Sequence, residues 1–469
     1  MYFCRHKVNK FRFTHMTAKE RSRLHRGYKR FLRQLKTKRR KKRKAQIICE
    51  ENARYNRKNG VILSVDQLLS NTLSPSVSYL LNCISSPLNY KLINNENINT
   101  NCYVEIPRHF SLIENPQESY SAIRKLIALS LYSNYPEIFI DYTKCNEFTL
   151  EAQVLLDLIL KDIFKFYNRC RKKKCFKNYA KRITDRSTKG SSIRTMLFSV
   201  GSLAIHAKKQ LEFSHVVPYN LCIHRSEVDT IRQAEMKDID TTTLSDYVDT
   251  CLSKMGRNLE DEQIDDLCTV IGEILINAEE HSSTRCRYSI GYFEEKEING
   301  EKVGVFQLVI MNLGMSIYEK FKDENCPNPI IADKMKELSK QYTHKGFLRK
   351  KEFEEETLWT LYSLQDGVTS VSPQKYKNRG NGSLRFIESF YNLKGFNPSK
   401  SSKMTLQSGK ANIVFDGKYP VTESIVKGEK YRVLTFNNSG NIEDKPDNKY
   451  VKCSEFFFPG TFIHAYIYL

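Results

Sequence analysis

A carboxylate, an amide and an imidazole recur at four-residue spacing in the segment GEILINAEEH, residues 272–281. In a helix, Glu273, Asn277 and His281 would project from one face, because residues four apart lie above one another. The core-facing stripe of this helix would consist of Leu267, Ile271, Ile274, Leu275 and Ala278. An amide oxygen can bind Mg²⁺ while water and phosphate oxygens complete its shell, and a carboxylate can position water. The same residue types are common on solvated helices, so the spacing alone leaves both interpretations open.

Three further segments have the composition of turns that approach a ligand. VIMNLGMSI (309–317) is an apolar strand that runs into a glycine turn, and PGTFI (459–463) leads into a closing strand, HAYIYL. NRGNGSL (378–384) places two glycines where the helix LRFIESFYNL begins. Glycines at a helix N-terminus let backbone N–H groups approach a phosphate, and the helix dipole favours the anion.

The four segments, in this order, resemble the N, G1, G2 and GT boxes of the GHKL ATPase superfamily, which includes gyrase and the histidine kinases. The form Glu-x-x-x-Asn-Ala-x-x-His is similar to that of the anti-sigma-factor serine kinases. The resemblance covers residues 255–469, just under half of the chain. It implies an α/β fold in which a C-terminal two-layer sandwich binds ATP with Mg²⁺.

The resemblance also implies a role for each matching residue. Asn277 would ligate the Mg²⁺ that bridges the ATP phosphates, and Glu273 would be the catalytic base that activates water or an acceptor hydroxyl. Asn312 would contact the adenine amino group, and Gly314 would leave room beside the base. His281 would contact a phosphate or support its neighbours.

A lid over the nucleotide is implied as well. Its phosphate-facing turn would comprise Gly380, Gly382, Ser383 and Leu384. Lys377 and Arg379 would offset the triphosphate charge, and Thr461 would lie beneath the adenine. Two ATP-site positions depart from the family pattern, since Asn312 replaces an aspartate and Ser316 replaces a glycine. An amide could also flip and pair with a purine carbonyl, which leaves the choice of base open.

The chain carries 75 basic and 53 acidic residues, a net charge of +22, and most of the excess lies at one end. Residues 1–44 contain 19 Lys or Arg and one acidic residue, a net charge of +18. We interpret residues 1–45 as a basic helical arm that attracts a polyanion: nucleic acid, an anionic membrane or an acidic protein. The candidate nucleic-acid contacts are Arg33, Lys38, Arg39, Arg40, Lys41, Lys42, Arg43 and Lys44. A second basic segment, 161–189, is typical of a solvated loop.

Composition and patterning divide the rest of the chain into three parts. Residues 46–100 are interpreted as a connecting region, and residues 226–469 as the ATP-binding domain with a long lid insertion, 317–379. Residues 101–225 predict a smaller α/β domain in which the strand PEIFIDY (136–142) is followed by a helix from about Thr149. This arrangement resembles the STAS domain of anti-anti-sigma factors, although no serine stands near Thr149. An unrelated α/β domain that binds a partner protein fits the pattern equally well.

Several classes of protein are excluded by what the sequence lacks. There is no run of 18 apolar residues and no apolar signal segment, which argues against a membrane-spanning or secreted chain. Thirteen scattered cysteines suggest reduced thiols, so we expect a cytoplasmic protein. No Walker A or Rossmann glycine motif is present.

Three functions follow as expectations. The first is an ATP-dependent switch in bacterial regulation or defence, which acts with nucleic acid or a partner protein and dimerises on ATP as many of its relatives do. The second is a protein serine/threonine kinase of the anti-sigma type, whose partner would be STAS-like. The third is a nucleic-acid-binding protein with an inert nucleotide pocket.

Overall fold

The computed structural model describes residues 36–37, 65–98, 101–187, 191–205, 212–225, 230–280, 282–298, 300–343, 352–368, 382–394, 402–426 and 429–469. The chain divides into two compact units, residues 1–68 and 69–469. Only 36–37 and 65–68 of the first unit are described, so Arg33 and the basic run 38–44 lie outside the described residues. Everything that follows concerns the second unit.

Helices occur throughout the described chain. They are α1 (Val65–Ser70), α2 (Pro75–Asn82), α3 (Tyr90–Asn94), α4 (Pro116–Tyr132), α5 (Leu150–Arg171), α6 (Ser192–Ser199), α7 (Thr230–Lys254), α8 (Asp261–Glu280), α9 (Ile317–Lys322), α10 (Pro329–Thr343), α11 (Glu355–Ser363) and α12 (Gly382–Asn392). A single 3₁₀ turn, Lys174–Tyr179, follows α5.

The strands form both parallel and antiparallel sheets, which confirms the α/β class. They are β1 (Tyr103–Glu105), β2 (His109–Phe110), β3 (Glu137–Asp141), β4 (Glu147–Phe148), β5 (Arg182–Arg186), β6 (Val216–Arg225), β7 (Cys286–Ile298), β8 (Glu301–Leu313), β9 (Lys403–Phe415), β10 (Thr422–Val426), β11 (Glu429–Val433) and β12 (Val451–Tyr468). β1, β3 and β5 form a parallel sheet in the order β1–β3–β5, and β2 pairs with β4 in parallel. β10 and β11 form an antiparallel hairpin.

The largest sheet is antiparallel and has the order β6–β7–β8–β12–β9. Alternate residues of its strands point to opposite faces. One face packs against α7, α8, α11 and α12 through a core that includes Leu308 and Ile310. The other face packs against α5 and α2. Both faces are therefore buried, and this explains why β8 is inaccessible from Val303 to Leu313.

The N-terminal part of the unit is joined to this sheet directly. β6 lies within the expected domain 101–225, yet it pairs with β7. The expected connecting region contains helices α2 and α3, whose Leu80 and Ile93 are fully buried. In the basic segment 161–189, Arg171 and Lys177 are exposed as expected, whereas Lys181 is buried. Its ammonium donates to the carbonyls of Leu129 and Ser130, and burial lowers its pKa to about 8.

The described part of the expected lid, 317–343 and 352–368, is helical and belongs to the core. Phe321, Met335 and Trp359 lie in the same apolar cluster as the sheet. The Trp359 indole donates to the Ser339 hydroxyl at 3.1 Å, which ties α11 to α10. These helices form a packed layer, and the end of the insertion, 369–379, lies outside the described residues.

A buried cluster of charges connects β6, β7, α7 and α8. Asp240 accepts from Arg287 Nη2 at 2.8 Å and contacts His224 Nδ1 at 2.9 Å. Glu279 Oε2 lies 3.3 Å from His224 Nε2 and 3.9 Å from Arg287 Nε. Burial acts to raise the pKa of Asp240, but His224 and Arg287 outweigh it and hold this pKa below its ordinary value. The carboxylates and cations thus compensate one another away from water.

Replacing Arg287 with methionine should destabilise the protein strongly, because the buried carboxylate of Asp240 would lose its permanent cation, whereas Glu279 would keep Lys237 at 3.6 Å. We expect the free energy of unfolding to fall by about 3–5 kcal/mol. Urea unfolding followed by the fluorescence of Trp359, the single tryptophan, measures this loss.

The matched control is Lys302→Met, which breaks an exposed ion pair to Glu295 at 2.8 Å. An exposed pair contributes about 0–1 kcal/mol, so this variant should unfold almost as wild type does. Equal losses in the free energy of unfolding would show that the buried cluster stabilises the protein no more than an exposed ion pair does.

Candidate functional site

Helix α8 turns Glu273 toward the start of α12. Arg385 of α12 forms ion pairs with Asp266 Oδ1 at 2.9 Å and with Glu273 Oε1 at 3.5 Å. The side chain of Glu273 is 38% exposed. Its Oε2 atom is buried and has no hydrogen-bond partner within the described chain. Arg385 thus holds one oxygen of the carboxylate, and the other oxygen is left without a hydrogen-bond partner.

Asn277 lies one turn after Glu273 on α8 and is half-buried. Among the described residues, its amide makes no side-chain hydrogen bond. His281, the third member of the predicted face, lies outside the described residues, directly after the end of α8. The structure therefore brings Glu273 and Asn277 together on one accessible face.

Asn312 occupies the end of β8 and is only 3% exposed. Its Nδ2 donates to the carbonyl of Ala278 at 3.0 Å, and its Oδ1 accepts from Thr461 N at 3.2 Å. A carbonyl requires a donor and an N–H requires an acceptor, so the two backbone partners fix the orientation of the amide. In the flipped orientation that the sequence left open, Oδ1 would face the Ala278 carbonyl and Nδ2 would face the Thr461 N–H, so like groups would oppose each other at both ends. The side chain connects α8, β8 and β12, and one lone pair of Oδ1 remains.

The conformation of the turn after β8 accounts for the two small residues in it, Gly314 and Ser316. Gly314 has φ +145°, and a Cβ there would lie 2.1 Å from Ser283 Oγ, so any other residue would collide. Ser316 is fully buried and caps α9: its hydroxyl accepts from Glu319 N, and the Glu319 carboxylate accepts from Ser316 N. Ser316 is thus the N-cap of α9 and forms a capping box with Glu319.

Four of the remaining predicted residues lie in the described chain, and three lie outside it. Gly382 is the first residue of α12, Ser383 is half-buried beside it, and Leu384 is fully buried in the core. The Thr461 hydroxyl bonds to Ser408 Oγ at 2.8 Å, which links β12 to β9. The predicted lid residues outside the described chain are Lys377, Arg379 and Gly380.

Two residues near the site were not singled out from the sequence. Arg385 contacts Glu273, and its position three residues after Gly382, on the helix that the glycine turn opens, was an available signal. Ser408 accepts from Ile317 N at 2.9 Å and contacts Thr461, but nothing in its local sequence marks it.

The described residues hold no group of three or more His, Cys, Asp or Glu side chains arranged for a metal ion. A cation at this site would therefore depend on Asn277 and on oxygens of its ligand. The cysteines whose side chains the structure describes are free thiols.

Comparison with protein-family models, with curated proteins and with solved structures gave no match to this chain. The helices of the described chain include none with the length and hydropathy needed to cross a membrane.

Replacing Asn312 with aspartate, the residue usual in the resembling family, should destabilise this chain. A carboxylate would face the Ala278 carbonyl where an N–H now donates, so we expect a loss of about 1–3 kcal/mol in the free energy of unfolding. The loss should shrink at low pH, because the protonated carboxyl can donate again. Denaturant unfolding at several pH values measures both effects.

Asn101→Asp is the control, because the Asn101 oxygen accepts from Tyr103 N and Lys125 Nζ and a carboxylate can do the same. If Asn312→Asp is as stable as this control at neutral pH, the assigned amide orientation is wrong.

Proposed function

We propose that the chain is a Mg²⁺-dependent, ATP-binding ATPase of the GHKL type that works as a conformational switch. The observation that carries the proposal is the convergence of the four sequence segments that resemble the GHKL boxes. α8 meets the end of β8 through Ala278 and Asn312, β12 meets β8 through Thr461 and Asn312, and α12 meets α8 through Arg385 and Glu273. The four segments are spread between residues 272 and 463, so their meeting at one place supports a shared ligand site.

The residues present are suited to the cation and water that such a reaction needs. Asn277 offers an amide without a hydrogen-bond partner in the described chain, and Glu273 offers a buried oxygen without one. Mg²⁺, when bound, would neutralise charge on the phosphates that it bridges. Asn277 would hold it, and Glu273 would take the proton of the attacking water, oriented by Arg385 on its other oxygen.

The helix N-terminus at Gly382 supports an anion on the same side of the site. Backbone N–H groups of the first turn of α12 have no partners within the helix, and the helix dipole favours negative charge there. Lys377 and Arg379, which precede this helix in the sequence, would add positive charge.

The basic arm suggests what the switch controls. Residues 1–44 have a net charge of +18, whereas the rest of the chain has a net charge of +4, from 56 basic and 52 acidic residues. Nucleic acid is the polyanion that such an arm binds through counterion release, and an acidic protein is the alternative partner.

Isothermal titration calorimetry with ATP and Mg²⁺ tests nucleotide binding. We expect micromolar affinity in wild type, at least a tenfold loss in Asn277→Ala, and no change in Glu262→Gln, an exposed substitution in the first turn of the same helix. GTP serves as the competitor and should compete weakly. Absence of ATP binding in wild type would overturn the proposal.

Glu273→Gln should separate binding from turnover. The amide keeps the size of the side chain but cannot accept a proton, so we expect ATP affinity to stay within a few-fold and phosphate release to fall by about 10²–10⁴-fold. Phosphate release is measured with and without added DNA or RNA. Radiolabel on a protein partner, without release of phosphate, would indicate the kinase instead.

A further inference from the structure

A cavity lies on the face of the large sheet that α5 covers. Its volume is about 490 Å³, within the range of about 300–1,000 Å³ usual for small-molecule sites. Residues of β7, β8, β9 and β12 form its floor, and its walls come from α6 and from the segments after β2 and before α5. Asn312 and Asn277 are on the other side of the sheet, because Asn312 bonds to α8 whereas this cavity faces α5 and α6.

Three side chains form a row across the floor. Gln307 of β8 pairs with Tyr292 of β7 on one side and with Tyr466 of β12 on the other. Residues paired across strands share a face, so the glutamine amide stands between two tyrosines. The Gln307 Oε1 atom is buried without a partner, and its Nε2 makes no hydrogen bond within the described residues.

His464 lies beside this row, two residues before Tyr466, and is 5% exposed. Its Nδ1 lies 3.0 Å from Glu151 Oε2, and Glu151 is fully buried at the start of α5. Burial acts to raise the pKa of Glu151, but its contacts with His464 and Thr149 outweigh burial and lower this pKa. The carboxylate accepts a hydrogen bond from Nδ1–H, and in the tautomer with this proton on Nδ1 the Nε2 atom is an acceptor.

The Nε2 atom of His464 is buried and has no partner among the described residues, yet His464 lines the cavity. A buried polar atom without a partner costs free energy, and at the wall of a cavity a ligand can supply the missing partner. The cavity therefore offers one acceptor from His464 and one acceptor–donor pair from Gln307.

The charges at the cavity argue against a phosphate. The lining includes the carboxylates of Glu114, Glu147 and Glu294 but only two ammonium groups, those of Lys296 and Lys403. Lys296 is paired with Glu294 at 2.9 Å, and Lys403 is paired with Glu114. No unpaired cation of the described lining remains for an anion.

We propose that this cavity binds a neutral nucleobase or nucleoside, with the base edge on the Gln307 amide between Tyr292 and Tyr466 and an N–H or O–H group on His464 Nε2. A glutamine amide pairs with the adjacent donor and acceptor of a base edge through two hydrogen bonds. Tyrosine rings on neighbouring strands supply flat surfaces against which a base can stack. The site is separate from the ATP site proposed above and does not depend on it.

Ligand-observed NMR and calorimetry on the full chain test the proposal, with adenosine, guanosine, cytidine and uridine as probes. We expect at least one nucleoside to bind, and its 5′-monophosphate to bind at least tenfold more weakly because of the surrounding carboxylates. An ATP site would show the opposite order. Spermidine and sorbitol are the negative probes.

Gln307→Met keeps the size of the side chain and removes its polar atoms, so we expect at least a tenfold loss of nucleoside affinity. ATP binding should be unchanged in this variant, and Asn277→Ala should leave nucleoside binding unchanged. Thr405→Met, from the neighbouring β9, fills the cavity without touching the Gln307 amide and is the second variant if Gln307→Met unfolds. The proposal is overturned if no nucleoside binds, if the monophosphate binds as well, if spermidine or sorbitol competes, or if both variants bind normally.

Discussion

The five-stranded antiparallel sheet is covered by helices on both of its faces, and this constraint governs every polar side chain that its strands carry. A polar group in such a sheet has no access to water, so it must find a partner inside the protein or leave a hydrogen bond unmade. Asn312 finds partners in the backbone of α8 and β12, and Arg287 donates to Asp240 through Nη2 while its other two nitrogens make no hydrogen bond among the described residues. Gln307 and His464 keep atoms without partners, and both line a cavity.

Two central strands serve both faces because side chains alternate along them. β8 directs Asn312 toward α8 and Gln307 toward the opposite cavity. β12 likewise contributes Thr461 at one end and His464 and Tyr466 further along. The distance between the two proposed sites is therefore set by the backbone hydrogen bonds between the strands and not by a flexible linker.

Local pattern predicted much of this architecture. The apolar stripe of α8, the strand and turn at 309–317 and the helix that begins near Thr149 all lie where the sequence indicated. What local pattern could not predict are the pairings between distant segments. β6 joins the large sheet, Lys181 is buried against two carbonyls, and the amide of Asn312 is fixed by a helix on one side and a strand on the other. Each depends on which surfaces meet in space, and no spacing along the chain contains that information.

The contact between Glu151 and His464 has a consequence for the order in which the protein folds during synthesis. Synthesis proceeds from the N-terminus, so helix α5 emerges long before β12, the strand that carries its imidazole partner. Until then, the described hydrogen-bond partners of the Glu151 carboxylate are Ser111 and Thr149, and the apolar side of α5 can cover only β7 and β8 of the sheet. The N-terminal half can collapse early, but its native burial is completed by residues of β12. The sheet face that α5 covers therefore stays incomplete until β12 is made, and chaperones that bind unfinished apolar faces are suited to protect it.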